Sequence, residues 1–241
     1  MNIDFSGKHV LVTGAADGIG KATAQAFALR GAKLSVTTRS KRPLWCKNSN
    51  ITHHAVDFTD DQALEDFCSQ LRSQADVDIV INNAGVLKSA DMASLKKEDW
   101  QEAMTVNVYA PWRITQAVVE GMRQRRWGRI IHISSIAALV NRPGAGAYAA
   151  GKAGILGLTR AMAMDTAKDG ILVNALCPGH TQTPMMERLN PQTQEILRAA
   201  IPLGRFAQAE EMAMTIVFLA SDLNTYMTGQ TIIVDGGVTI Q

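Results

Sequence analysis

The stretch VLVTGAADGIGKATAQAFALRG, residues 10–31, decides how the rest of the chain is read. Val10, Leu11, Val12 and Thr13 form a short apolar run of strand-forming residues, and Gly14 ends it. Gly14, Gly18 and Gly20 make a turn, residues 21–30 carry a helical pattern, and Gly31 closes it. Strand, glycine turn and helix are the first half of a β-α-β unit. Glycines let the main chain approach a phosphate closely, and the free N–H groups at a helix start favour its negative charge. The spacing is G-x-x-x-G-x-G rather than the commoner G-x-G-x-x-G. Taken alone, such a cluster serves equally well as a plain tight turn.

Outward from this stretch, strands and helices alternate. Residues 33–38 (KLSVTT) are the second strand, followed by Arg39, Lys41 and Arg42. In a dinucleotide fold this strand's end meets the adenosine ribose, where an acid binds the 2′-hydroxyl and an Arg accommodates a 2′-phosphate. Thr38 stands in the acid's place, so the expected cofactor is NADP(H). A solvated basic loop is the other reading, and Asp17 in the turn argues against a nearby phosphate. Residues 43–50 are irregular, and residues 52–56 are the third strand, with Asp57 at its end. His53 and His54 have no partner cluster at metal-ligand spacing and read as a strand-edge pair. Residues 59–62 open a helix in capping-box style, which runs to Gln74 with Leu64, Phe67, Cys68 and Leu71 on one face.

Residues 77–81 are the fourth strand, interrupted by Asp78 and followed by Asn82, Asn83, Ala84 and Gly85. Small and amide residues there suit main chain pressed against a ligand, and equally a structural turn. A helix begins within residues 94–99 and continues to Arg125, with Asn107 polar in an apolar stretch. Residues 129–134 are the fifth strand, leading to Ser135, and residues 141–146 form a polar, glycine-rich loop. A long helix runs over residues 148–168, with Gly151, Gly154 and Gly157 as a bare stripe expected to pack against another main chain, such as another subunit's helix. Residues 172–176 are the sixth strand, broken by Cys177, Pro178 and Gly179. Residues 180–205 carry Met185, Met186, Leu189 and Ile196 with prolines at 184, 191 and 202, and read as a helical lid over an apolar pocket. Residues 210–221 are the last helix and residues 230–235 the seventh strand.

The pattern predicts an α/β fold: one domain over residues 1–241, with a seven-stranded parallel, doubly wound sheet between two helix layers. The whole-chain numbers agree. The 241 residues are 46% hydrophobic, enough for a full core, and 24 basic against 22 acidic residues leave no nucleic-acid footprint. Cys46, Cys68 and Cys177 fit neither a disulfide framework nor a metal site. No segment reads as a signal peptide or membrane span, so a soluble cytoplasmic protein is expected.

The chemistry gathers in SIAALVNRPGAGAYAAGK, residues 135–152. Tyr148 and Lys152 are four apart, which on a helix places both on one face. A phenol with a pKa of about 10 is a poor base near neutrality, and a neighbouring ammonium lowers it. The pair can therefore move a proton to or from a carbonyl or alcohol oxygen. Ser135, at the end of the fifth strand, can hydrogen-bond the same oxygen. Alone, a Tyr-x-x-x-Lys pair is weak evidence and most often a surface helix pair. In a parallel sheet, however, the glycine turn, Asn82 to Gly85, Ser135 and Pro178-Gly179 all gather at the strands' carboxyl edge.

With these residues in order, the chain resembles the compact form of the short-chain dehydrogenase/reductase family from end to end. The motifs are Thr13-Gly14-x-x-x-Gly18-Ile19-Gly20, Asn82-Asn83-Ala84-Gly85, Asn107, Ser135, Tyr148-x-x-x-Lys152 and Pro178-Gly179-x-x-x-Thr183. The resemblance implies a Rossmann-like sheet, hydride transfer at nicotinamide C4 without a metal, and assembly as a homotetramer or homodimer through the helices bearing Tyr148 and Asn107. It implies that Tyr148 is the acid/base, that Lys152 lowers its pKa and binds the nicotinamide ribose, and that Ser135 polarises the substrate oxygen. Asn107 would hold a water linking Lys152 to solvent. Gly14, Asp17, Gly18, Ile19 and Gly20 would lie along the cofactor. Thr38, Arg39 and Asp57 would meet its adenosine end, with Asn83, Ala84 and Gly85 beside the adenosine ribose region. Pro178, Gly179 and Thr183 would sit at its nicotinamide end, Thr183 on the carboxamide. Two positions depart from many relatives: Gly151 replaces Ser or Ala, and Asp17 replaces the Lys or Arg of many NADP(H) users.

Within the family, the glycine motif, Asn-Asn-Ala-Gly and tail look like the β-ketoacyl carrier-protein reductases. The N-terminal stretch and Lys97-Glu98-Asp99-Trp100 look like the 2,3-dihydro-2,3-dihydroxybenzoate dehydrogenases. The expected function is NADP(H)-dependent interconversion of a small-molecule ketone and a secondary alcohol. The alternatives are an NAD(H)-dependent dehydrogenase of a cyclic dihydrodiol and a non-catalytic cofactor-binding regulator.

Overall fold

Alternate apolar residues along each strand serve opposite faces of the sheet, and this builds the core. The computed structural model describes residues 3–39, 41–46, 50–140 and 143–240. In β1 (His9–Val12), Val10 and Val12 face one layer and Leu11 the other, as a period of two requires. The first layer holds α1 (Gly18–Ala28) and α8 (Ala209–Ala220), which bring Phe27, Met212 and Ile216 onto the sheet. The second holds α2 (Asp61–Gln74), α4 (Ala110–Arg125) and α5 (Gly146–Thr166), which bring Phe67, Ile114, Val118, Met122 and Met162. Each fully buried Leu, Ile or Phe contributes about 1.5–3 kcal/mol.

The remaining strands are β2 (Lys33–Thr38), β3 (Ile51–Ala55), β4 (Ile79–Asn82), β5 (Gly128–Ile133), β6 (Ile171–Pro178) and β7 (Thr231–Val234). All seven run parallel, as expected from the alternation, and the order is β3-β2-β1-β4-β5-β6-β7. The order reverses direction between β1 and β4, and the crevice above their carboxyl ends is where a ligand fits. His53 and His54 lie on β3, at the sheet edge.

Three features differ from the sequence reading. Pro178 does not break the sixth strand: it is the last residue of β6 and pairs with Val234. It lies past the last β5–β6 pair, Ile133 with Leu176, so its missing N–H costs that ladder nothing. The lid is two short helices, α6 (Pro184–Glu187) and α7 (Pro191–Ala199), rather than one. Asn190 caps α7 by accepting from Thr193 N–H, and Pro191 starts it. The helix expected from residues 94–99 onward is α3 (Lys97–Met104), then a π-helical turn, Thr105–Tyr109, then α4. Pro111 explains the wide turn, because a proline ring clashes with the carbonyl four residues back, here that of Asn107.

The glycine stripe of α5 is also used within the chain. A Cβ on Gly151 would lie 3.0 Å from Asn107 Cβ, and one on Gly154 would lie 3.4 Å from Val108. Gly157 has nothing within 4 Å. Asn141, the first residue of the polar loop at 141–146, and Arg142 lie outside the described residues. Among the described residues no helix is long and apolar enough to cross a membrane, and no His/Cys/Asp/Glu cluster could hold a metal.

Candidate active site

The ends of β1 and β4 are laced together before any ligand is considered. Thr13 Oγ1 accepts from the N–H groups of Asn83 and Ala84 at 3.0 Å each. The Asn83 amide donates in return to Thr13 O at 3.0 Å and Gly14 O at 2.9 Å. Asn83, expected beside the adenosine ribose, thus has its amide nitrogen committed to the glycine turn. Gly20 is required there, because a Cβ would stand 2.3 Å from Gly14 O and 2.4 Å from Asn83 Nδ2. Gly18 has φ +52, and its Cβ would meet Thr183 at 3.1 Å, so turn and lid face each other across a narrow gap.

Asp17 is the N-cap of α1, yet its side chain caps nothing. Its carboxylate takes no hydrogen bond from the first-turn N–H groups, and Asp17, Gly18, Ile19 and Gly20 all line one cavity. That cradle fits a pyrophosphate. At the cavity's far edge Thr38 Oγ1 donates to Lys41 O and shares a hydrogen bond with His53 Nε2. Arg39 lies 3.7 Å from Asp57 and 3.8 Å from Glu102. Hydrogen bonds from the Thr59 N–H and hydroxyl, with the Arg39 charge, hold the Asp57 carboxyl below its ordinary range. Glu102 also pairs with Lys88 at 2.6 Å.

The other end carries the titratable groups. Ser135 follows β5 and caps a short 3-10 turn, Ile136–Ala138, by accepting from Ala137 N–H at 3.1 Å, so its own proton is free to be donated elsewhere. Tyr148 is in the first turn of α5 and Lys152 one turn on, with Nζ 5.8 Å from the phenol ring centre. Lys152 is 4% exposed, and Nζ donates to Ile133 O at 2.7 Å. Burial pulls its pKa down to about 8. His132, fully buried one residue before Ile133, is pushed down to about 3 by burial and the Lys152 charge, so it is neutral. Its Nδ1 lies 3.2 Å from the Asn82 amide.

A cavity of about 540 Å³ joins the two ends. Gly14, Ala84, Gly85, Ser135, Tyr148, Lys152, Pro178, Gly179 and Thr183 all line it. Asn107 does not. It stands one layer behind Gly85, whose Cβ would lie 3.1 Å from both Asn107 Oδ1 and Lys152 Nζ. The Asn107 side chain accepts from Val86 N–H and donates to Val86 O, each at 3.0 Å. Position 111 is proline, so no N–H from there reaches the Asn107 carbonyl. The sequence reading missed Thr13's double acceptance and the apolar wall contributed by Leu87, Val140 and Val238. Thr13 was legible as the first hydroxyl after a buried strand; the wall residues lie in loops and a three-residue 3-10 turn, with no periodic signal.

Comparison with known proteins agrees with this geometry. A family model described as Enoyl-(Acyl carrier protein) reductase matches residues 14–239. The chain is 40% identical to the 3-oxoacyl-[acyl-carrier-protein] reductase FabG of Thermotoga maritima, over 98% of this chain and 99% of that protein. It is 35% identical to the FabG of Escherichia coli K12, over 98% and 99%. Among solved structures, a provisionally assigned NAD(P)-dependent gluconate 5-dehydrogenase from Beutenbergia cavernae, with bound NADP at low occupancy, superposes with a TM-score of 0.91 at 31% identity, over all of both chains. A short-chain type dehydrogenase/reductase from Mycobacterium marinum superposes at 0.88 with 30% identity, covering 99% of this chain and 98% of that one. This chain is an oxidoreductase of the short-chain dehydrogenase/reductase family.

Proposed function

We propose that the chain reduces the ketone of an apolar 3-oxoacyl compound to a secondary alcohol with NADPH, Tyr148 serving as the acid. The observation that carries this is the single cavity that holds both the uncapped start of α1 and the Ser135, Tyr148 and Lys152 side chains. When bound, the nicotinamide supplies the hydride. Ser135, its oxygen already serving Ala137 N–H, donates its proton to the substrate oxygen and holds it. Tyr148 gives that oxygen a proton as negative charge develops on it. Lys152, charged below its pKa of about 8, favours the phenolate left behind. Arg39, loosely held by two carboxylates, is the group for a 2′-phosphate, which supports NADPH over NADH.

The lid side supports an acyl substrate over a sugar acid. Met185, Met186, Leu189 and Leu197 line the cavity. Among its described lining residues only Lys152 and Arg39 carry a fixed positive charge, so a carboxylate near Tyr148 would lack a cationic partner of its own. The test is turnover of 3-oxoacyl thioesters followed at the nicotinamide absorbance, with gluconate-type acids as controls. Faster turnover of sugar acids, or tighter binding of NADH than NADPH, would overturn the corresponding part of the assignment.

A further inference from the structure

Ser134 lies between the last residue of β5 and Ser135, and is 3% exposed. Its N–H donates to Leu176 O at 2.7 Å, fixing it to β6. Its hydroxyl donates to the main-chain carbonyl of Lys152, also at 2.7 Å. Lys152 Nζ reaches back to Ile133 O at the same distance. Two short buried hydrogen bonds, running in opposite directions, thus close a ring between the end of β5 and the helix that carries Tyr148. A carbonyl inside a helix already accepts from the N–H four residues on, so Lys152 O does not need the Ser134 hydroxyl for satisfaction. What the second donor adds is a fixed distance between helix and strand end.

We infer that Ser134 is a positioning residue: its hydroxyl clamps α5 to the end of β5, and so sets Tyr148 and Lys152 against Ser135 across one substrate oxygen. The inference rests on the proposed role of Tyr148. Ser135 is carried by the next peptide unit, and Tyr148 by the first turn of the clamped helix. Small misplacements at such a constellation cost turnover steeply, on the order of 100-fold for 1 Å. A lost clamp also slackens the Lys152–Ile133 bond that favours the charged amine.

The experiment uses the full chain with Ser134→Ala, Ser134→Thr and Tyr148→Phe side by side. Ser134→Ala is expected to lower kcat about 10-fold while KM for the thioester and Kd for NADPH stay within about twofold. The alkaline limb of its kcat profile should move by about half a pH unit, because Tyr148 senses Lys152's charge. Ser134→Thr keeps the hydroxyl and should restore most of kcat and the original limb. Overturning results are a Ser134→Ala enzyme with kcat within about twofold of the parent, an unmoved limb, a Thr variant no better than Ala, or an Ala variant that fails to fold or to bind NADPH, each of which assigns the bond to stability alone. Tyr148→Phe separates the two claims. Retained turnover there sinks the proposed function, whereas a dead Tyr148→Phe beside an unaffected Ser134→Ala sinks only this inference.

Discussion

The floor of the cavity and its lid are built in opposite ways. On the floor, the turn after β1 is fixed by Thr13, Asn83 and the absent Cβ of Gly20, with two hydrogen bonds of 3.0 Å accepted by a single hydroxyl. In the lid, α6 and α7 contain no buried residue, and Ile196 is 63% exposed. A cradle that must accept one cofactor gains from being over-determined. A cover that must admit and release a substrate gains from few buried contacts and from flexible methionines. Chemistry is therefore expected to fail all at once when the floor is changed, and selectivity to change by degrees when the lid is.

The largest effect tests the rigid side. Tyr148→Phe should cut kcat by about 1,000-fold with NADPH still bound, read by steady-state rates and a fluorescence titration. Next is Gly20→Ala, whose Cβ would stand 2.3 Å from Gly14 O. It should weaken NADPH binding at least about 10-fold, since the turn must open to fit the methyl group. A pH series sharpens the same point. Lys152 acts while protonated and its pKa is about 8, so kcat for reduction should hold level below pH 8 and fall above it. A flat profile through pH 9 would remove Lys152's charge from the mechanism.

The lid should respond more gently. Met185→Ala with Met186→Ala should raise KM about fivefold for long 3-oxoacyl thioesters and hardly at all for short ones, because only long chains reach the lost side chains. Equal changes for both lengths would mean that the lid does not read the chain. The smallest change expected is at Glu102, whose carboxylate competes for Arg39 at 3.8 Å. Glu102→Gln should lower the Kd for NADPH about twofold and leave NADH unmoved, a size set by how exposed the pair is.

Much of this was legible in the chain because local pattern and tertiary role coincide. Val10, Leu11 and Val12 alternate between layers as strand periodicity demands, and Tyr148 and Lys152 share a helix face because they are four apart. Elsewhere a residue's effect depends on what lies across from it. Pro178 reads as a breaker, yet it sits where β5 has already ended. Asn190-Pro191 carried an ordinary cap signal that splits the lid, and the even spread of apolar residues masked it. Gly151 belongs to a stripe that invites close packing, and which residue meets it, here Asn107 of the same chain, depends on the tertiary fold. Ser134 gave no signal at all, because its partner is a main-chain carbonyl eighteen positions away.

The π turn at Thr105–Tyr109 makes the register of α4 a matter of counting. Its five residues span the turn that four span in an ordinary helix, so one residue is taken up in the bulge. The helix beyond therefore keeps the facing it would have without that extra residue. Ile114, Val118 and Met122 stay turned to the sheet they cover. The wide turn thus fits one more residue into the stretch that sets Asn107 behind Gly85, while the second layer keeps its seating.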